Sequence, residues 1–412
     1  MKYILFYIIL FQTISGYAQI TVDKNWQKAL QSFEKRNFAD AIYYFEKTRN
    51  TIQNDTVKAC IYYEKLAQAN AFLGKEEEAI YNYSKQIKQC ITSSDDLFKY
   101  GLLLMQTGNY DKAKKVFTIY QNQQKNDDRA EKAIINCDSA ISWQNTPKYT
   151  IQNMVKLNSS NDELGLQIST DKFYFSSSRE GFLIKEKKGI NHQPSLSIYE
   201  TMRMNEMKKT PRKSAIFAQK TLNASIISFN FDFSEVYFTA ENQETGKLQI
   251  YKSVNNDGKF VAKESFIYNS DSASFAQTCL SADGNTLFFV SDMKGGFGGT
   301  DIYFCSKKNG KWSPPINLGP EVNSAANELF PYLYNGKTLY FSSNGHLGMG
   351  GYDIFKTTLK DNKWTQIENM KSPINSPKDD MCIIFENSSK GYISSNRKQG
   401  KGGLDIYFFE KW

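Results

Sequence analysis

An Ile-aromatic dipeptide recurs through the second part of the chain at constant spacing. It reads Ile198-Tyr199, Ile250-Tyr251, Ile302-Tyr303, Ile354-Phe355 and Ile406-Tyr407, each 52 residues after the last. A fixed period of this size means one supersecondary unit stacked repeatedly, since a single unit cannot bury its apolar face alone. The unit is a small sheet. In its best-formed copy, Phe275 to Trp312, an apolar strand is followed by the turn Ser281-Ala282-Asp283-Gly284 and the strand Thr286 to Ser291. A Gly-rich loop, the strand Asp301 to Ser306 and the turn Asn309-Gly310 complete it. Asp-Gly and Asn-Gly between alternating strands are hairpin signals, because both central residues accept positive φ. Four short strands in about 50 residues describe a propeller blade, and residues 149–412 hold five copies.

The copies also predict how the ring closes. The last one stops at Tyr407-Phe408-Phe409-Glu410, without room for a fourth strand. Tyr149 to Leu157 aligns instead with the outer strand that begins at Trp312. That early strand is expected to complete the fifth blade and remove an exposed edge.

Residues 24–143 follow a different rule. They contain almost no Gly or Pro, and their apolar positions recur at helical spacing. Three helical hairpins align by their turns: Ala29, Arg36, Phe38, Ala41 and Phe45; Ala67, Gly74, Glu76, Ala79 and Tyr83; Gly101, Gly108, Tyr110, Ala113 and Phe117. Small residues at the first and fourth positions let paired helices approach, the aromatic at the fifth fills space between hairpins, and Gly ends the first helix. A last helix, Asp127 to Trp143, is expected to cap the stack.

This helical pattern resembles the tetratricopeptide (TPR) repeat, whose period matches the step from Ala79 to Ala113. It departs from the TPR pattern at Arg36, where Gly is usual, and lacks the proline of repeat ends. The blades resemble the WD40-like repeat of TolB-type propellers, carried by S-x-D-G-x-x-L-Y-F-S-S and G-G-x-D-I-Y. Together they imply an α+β multidomain chain: a signal peptide over 1–18, a TPR-like all-α domain over 19–146 and an all-β five-bladed propeller over 147–412. The order of parts is similar to exported proteins of type IX secretion and gliding machineries. Those usually continue into an OmpA-like peptidoglycan-binding domain, whereas this chain ends at Trp412.

The N-terminus supports export. Lys2, the apolar stretch Tyr3 to Phe11 and Gly16-Tyr17-Ala18 have the form of a secretory signal, with cleavage expected after Ala18. No later segment is apolar enough to span a bilayer, so the mature chain is expected to be soluble, periplasmic or outer-membrane associated. The formal charge of +8, from 51 basic and 43 acidic residues, is spread out and argues against a nucleic-acid partner. Six cysteines show no metal-ligand spacing. Burial as small hydrophobes is expected for them, with a Cys90–Cys137 disulfide conceivable.

Three sets of residues are candidates for function. Asp301, Asp353 and Asp405 follow Gly-Gly in three blades. Their repetition points to loop-capping hydrogen bonds rather than calcium. Glu163, Glu328 and Asp380 begin inner strands and, if they line a channel mouth, form an acidic ring for a cation or a basic segment. Lys185, Lys187 and Lys188 lie in an insertion in blade one, where departure from the repeat suggests partner contact. His192 and His346 lack a neighbouring nucleophile and read as isolated surface histidines. No cofactor, metal or catalytic residue is expected. The sequence reads as a non-enzymatic exported scaffold with envelope proteins, including outer-membrane secretion components, as partners. Binding of glycan or peptidoglycan fragments at an aromatic channel mouth is the second reading, and a propeller hydrolase the third.

Overall fold

A computed structural model describes residues 24–52, 55–145, 147–179, 196–203, 210–215, 224–242 and 244–412. The signal segment, Lys185, Lys187, Lys188 and His192 lie outside the described residues. The chain forms two compact units that divide between Cys137 and Asp138, inside a helix. Among the described residues no helix is long and apolar enough to cross a membrane.

The first unit is built from helices α1 (24–34), α2 (Phe38–Glu46), α3 (Thr56–Phe72), α4 (Glu76–Gln89), α5 (Ser94–Gln106), α6 (Tyr110–Gln123) and α7 (Arg129–Gln144). Three tight turns join α1 to α2, α3 to α4 and α5 to α6 with one geometry. Gly74 and Gly108 take φ of +69° and +76°, and Arg36 takes +58° at the same place. In each turn the following amide reaches back to a carbonyl of the preceding helix: Asn37 to Ser32, Lys75 to Asn70 and Asn109 to Leu104. These are left-handed caps that satisfy helix-end carbonyls. Arg36 shows that the conformation, not the glycine, is what the turn requires.

The small positions are small because helices meet there. Ala29, Ala41, Ala67, Ala79 and Ala113 are fully enclosed. A side chain added at Gly101 would run into the ring of Phe117. The fifth-position aromatics reach the next hairpin, with Phe45 6.0 Å from Tyr62 and Tyr83 5.5 Å from Tyr100, centroid to centroid.

Burial as small hydrophobes is the expectation for the cysteines, with Cys90–Cys137 as the alternative pair; instead Cys60 bonds Cys90, with Cα atoms 5.7 Å apart. Helices α3 and α4 pack as an antiparallel pair, so a cysteine early in α3 meets the residue just after α4. Cys137 in α7 is buried and outside the disulfide, as are Cys279, Cys305 and Cys382 in strands.

The second unit is a five-bladed propeller. Blade one has strands Glu163–Ile168, Lys172–Ser177, Ser197–Met202 and Arg212–Lys213, from inner to outer; blade two has Ala224–Phe229, Glu235–Glu241, Leu248–Asn256 and Lys259–Ser265. Blade three has Phe275–Leu280, Thr286–Ser291 and Asp301–Lys308, with its outer strand in two pieces, Lys311–Trp312 and Ile316–Asn317. Blade four repeats this with Glu328–Tyr334, Thr338–Ser343, Asp353–Lys360, Lys363–Trp364 and Glu368–Asn369. Blade five has Asp380–Phe385, Lys390–Ser395 and Asp405–Lys411, and its outer strand is Tyr149–Asn153, running antiparallel to Asp405–Lys411 with Tyr149 opposite Lys411. The ring closes where the sequence predicts. Inner strands of neighbouring blades lie side by side all round, blade five against blade one included.

Hairpin chemistry follows the turn residues. Asn309-Gly310 and Asn335-Gly336 have φ of +50°/+75° and +49°/+67°, the pair of positive values that a two-residue turn needs. Asp283-Gly284 differs. Only Gly284 is positive, in a longer turn closed by Ser281 and Thr286. Between blades, apolar clusters form the cores. The cluster around Phe275, Leu287, Phe289 and Tyr303, for example, takes in Tyr237 and Ile250 of the blade before.

Candidate functional site

The Gly-Gly-x-Asp loops connect the second and third strands within each of the last three blades. Asp301 accepts the amides of Phe297 (2.6 Å) and Gly298 (3.2 Å) and the side-chain amide of Asn317 (2.8 Å). Asp405 accepts the amides of Lys401 and Gly402 and the side chain of Asn153 (2.8 Å). Asp353 accepts Met349 (2.8 Å) and Gly350 (3.1 Å), but its Oδ1 is buried without a hydrogen bond. Burial, and after it the charge of Asp380, pushes the Asp353 carboxyl well above the ordinary range.

The folded loop then docks on the following blade. The amides of Thr300, Tyr352 and Leu404 donate to Asn327, Asp379 and Asp162 at 3.2, 3.0 and 2.9 Å. The amides of Glu328, Asp380 and Glu163 donate back to the same three residues' carbonyls at 2.8, 2.7 and 2.6 Å. The first glycine of each pair, Gly298, Gly350 or Gly402, lies against a backbone carbonyl of the next blade, where a Cβ would collide. At these three positions glycine is needed for close approach.

Glu163, Glu328 and Asp380 do not form an open acidic ring. All three are fully enclosed. Glu163 accepts the amide and hydroxyl of Ser159 (2.7 and 2.6 Å) and Ser177 Oγ (2.7 Å), and pairs with Arg179 at 2.9 Å. Glu328 accepts the same groups of Ser324 (2.8 and 2.6 Å) and Ser343 Oγ (2.7 Å). Asp380 accepts both groups of Ser376 (2.6 and 2.8 Å) and pairs with Arg397. A buried carboxylate persists only when its lone pairs are filled, and here the fold fills them. No group of three or more potential metal ligands is present among the described residues.

The other end of the ring is open to a ligand. A cavity of about 700 Å³ opens among the later halves of the inner strands and the hairpins that follow them. Every inner strand carries a β-bulge there, between Leu164 and Gln167 in blade one and at the matching places in the other four. The bulge residues are Gly165, Ile226, Gln277, Phe330 and Cys382, all with positive φ (+66°, +41°, +54°, +52° and +56°) and all facing this cavity. Neighbouring blades cap the strand amides: Ser176 Oγ accepts Ile226, Thr239 Oγ1 accepts Gln277 and Gln277 Oε1 accepts Phe330, each at 2.9 Å. Burial pushes the Cys279 thiol up to about 11 and raises that of Cys382 further. Neither cysteine in the cavity wall is a thiolate nucleophile.

No protein-family model matches the chain, and no curated protein matches it. Several solved structures are similar to part of this chain. The endo-arabinase from Bacteroides thetaiotaomicron VPI-5482 is 12% identical over 64% of this chain and 98% of its own, with a TM-score of 0.40. The propeller domain of the Trilobed protease from Pyrococcus furiosus is 8% identical over 61% and 68%, with a TM-score of 0.31. A prolyl endopeptidase is 9% identical over 61% of this chain and 42% of its own, with a TM-score of 0.34. This chain thus spans about two fifths of the prolyl endopeptidase, and as little of a puromycin-hydrolyzing peptidase from Mycobacterium tuberculosis. These likenesses concern the fold alone, and propellers host binding and chemistry alike.

His346 corrects a further expectation. It is not an isolated surface residue: its Nε2 donates to the Val322 carbonyl at 2.8 Å and lies 3.8 Å from Glu328. Arg179 and Arg397 make the corresponding contacts in blades one and five, to Leu157 and to Pro373 and Ile374. Sequence alignment hides the match because His346 stands three residues after Ser343, whereas each arginine stands two after its serine. The bulge ring was likewise missed. Four of its five members are not glycine, so no composition signal marks the conformation.

Proposed function

We propose that the protein is a non-enzymatic scaffold of a cell-envelope assembly, exported and related to secretion or gliding, which holds partner proteins through its helical unit and one propeller face. One observation carries the reading. The ionisable groups that recur from blade to blade are spent inside the fold, on loop amides, serines and arginines. The chemistry of the repeat therefore serves rigidity, and recognition falls to exposed side chains. The shared left-handed turns and the small-small-aromatic packing of the helical unit support a TPR-like platform. That unit displays Tyr43, Phe72 and Tyr81 at the surface. The Cys60–Cys90 disulfide supports an oxidising, extracytoplasmic location. Outer-membrane secretion components are the proposed partners.

Photocrosslinkers placed at Tyr43, Phe72 or Ile267 of the full chain, in its native envelope, test this. Capture of the same defined proteins from several positions is expected. Recovery of uncrosslinked protein from every position would count against the scaffold.

A further inference from the structure

We infer that the cavity at the later ends of the inner strands is a binding site for a neutral saccharide. The first support is geometric. The bulge conformation is shared by all five blades, yet only Gly165 adopts it without cost. Ile226, Gln277, Phe330 and Cys382 hold side chains there in a backbone conformation that L residues rarely adopt. Ile226, Phe330 and Cys382 pack in one buried apolar cluster with Leu164 and Met381, and together with Gln277 they wall the cavity at its inner end.

The second support is chemical. The wall mixes aromatic faces with uncharged donors and acceptors. Phe231 stands at the rim, 83% exposed, although it belongs to the lining. Phe233 lies further round, and Gln167 and Gln277 supply amides, the Oε1 of Gln277 being already bonded to the Phe330 amide. The Thr278 hydroxyl in the same wall is buried and makes no hydrogen bond. Arg203 is already neutralised by Glu386, and the remaining lining charge, Asp232, accepts the amide of Ser234. Asp232 sits at the exposed rim, so the inner wall itself carries no unpaired charge. Sugar rings offer apolar C–H faces for aromatic rings, and hydroxyls that both donate and accept, as side-chain amides do.

The third support concerns the competing ligand. An extended peptide would be recognised by pairing with a strand edge. Here the edge amides at the bulges of blades two, three and four are already taken by Ser176, Thr239 and Gln277. The cavity volume of about 700 Å³ lies within the range of small-ligand sites. This assignment stands apart from the protein-partner reading, since the crosslinking positions Tyr43, Phe72 and Ile267 do not line the cavity and sugar binding is scored separately.

The test uses the full chain with cellobiose, chitobiose and arabinobiose, measured by calorimetric titration and thermal shift. Glucuronate and an extended tetrapeptide serve as comparators. At least one neutral disaccharide is expected to bind one-to-one and raise Tm. Phe231→Ala, at an exposed position, and Gln167→Leu, at a partly exposed one, are expected to keep the unliganded Tm and weaken binding about tenfold in at least one of the two. Binding by none of the three disaccharides overturns the inference. So does preference for glucuronate or the peptide, or unaltered affinity in both variants.

Discussion

The side-chain amide of Asn153 lies 2.8 Å from the carboxylate of Asp405, a residue 252 positions later. Asn317 holds the same relation to Asp301, at 2.8 Å, but within a single blade. The contact that trims one blade in the middle of the chain seals the whole ring at its ends.

Asn158 tests that seal. It accepts the Ile406 amide at 2.8 Å, donates to the Ile406 carbonyl at 2.9 Å and is buried. Asn158→Ala strands the Ile406 amide, while the carbonyl keeps the Met154 amide, and is expected to cost about 1–3 kcal/mol. Hydrogen exchange should rise together over 149–157 and 405–410. Rise in only one segment would show that the two do not open as a unit.

The loop glycines should divide by mechanism. At Gly350 a Cβ meets a backbone carbonyl of blade five, whereas at Gly336 it meets open space but keeps φ at +67°. Gly336→Ala is expected to cost roughly 1 kcal/mol, the strain of a left-handed alanine. Gly350→Ala should cost about 3 kcal/mol, because the blade interface must move. Urea unfolding of both variants measures the order.

Asp353 makes stability depend on pH with a definite sign. Its folded carboxyl titrates well above the usual range, so the folded state holds the proton more tightly than the unfolded chain. The penalty is complete above the folded pKa and disappears as pH falls toward the ordinary carboxylate value. Asp353→Asn keeps an acceptor for Met349 and Gly350 without the charge. A higher Tm at neutral pH is expected, with the gain shrinking under acid conditions. A variant less stable than the parent at pH 8 would contradict this.

Reduction should act on the helical unit. The Cys60–Cys90 bond closes a separation of 30 residues, worth roughly 3–4 kcal/mol by loop entropy. With dithiothreitol, loss of helical circular dichroism is expected at lower temperature while the sheet signal melts unchanged.

The sequence displayed what is periodic and local. Ile302, Ile354 and Ile406 mark the third strands, Asn309-Gly310 its hairpin, and Tyr149 the closing strand, since alternation and turn chemistry are written in adjacent residues. It hid what depends on three-dimensional neighbours. Glu163, Glu328 and Asp380 look like surface acids until serines four and fourteen or fifteen residues away, with Arg179 and Arg397, enclose them. Cys60 meets Cys90 only because α3 and α4 fold back on each other. The positive φ of Ile226 and Phe330 comes from inter-blade packing, which no residue type announces.

The pairing of Tyr149 with Lys411 puts the chain's way into the propeller beside its way out. Tension applied across these two points would peel the strands apart one hydrogen bond at a time, rather than shear all of them at once. A ring that resists heat as a unit should therefore yield to a gentle pull, giving way first at its own fastening.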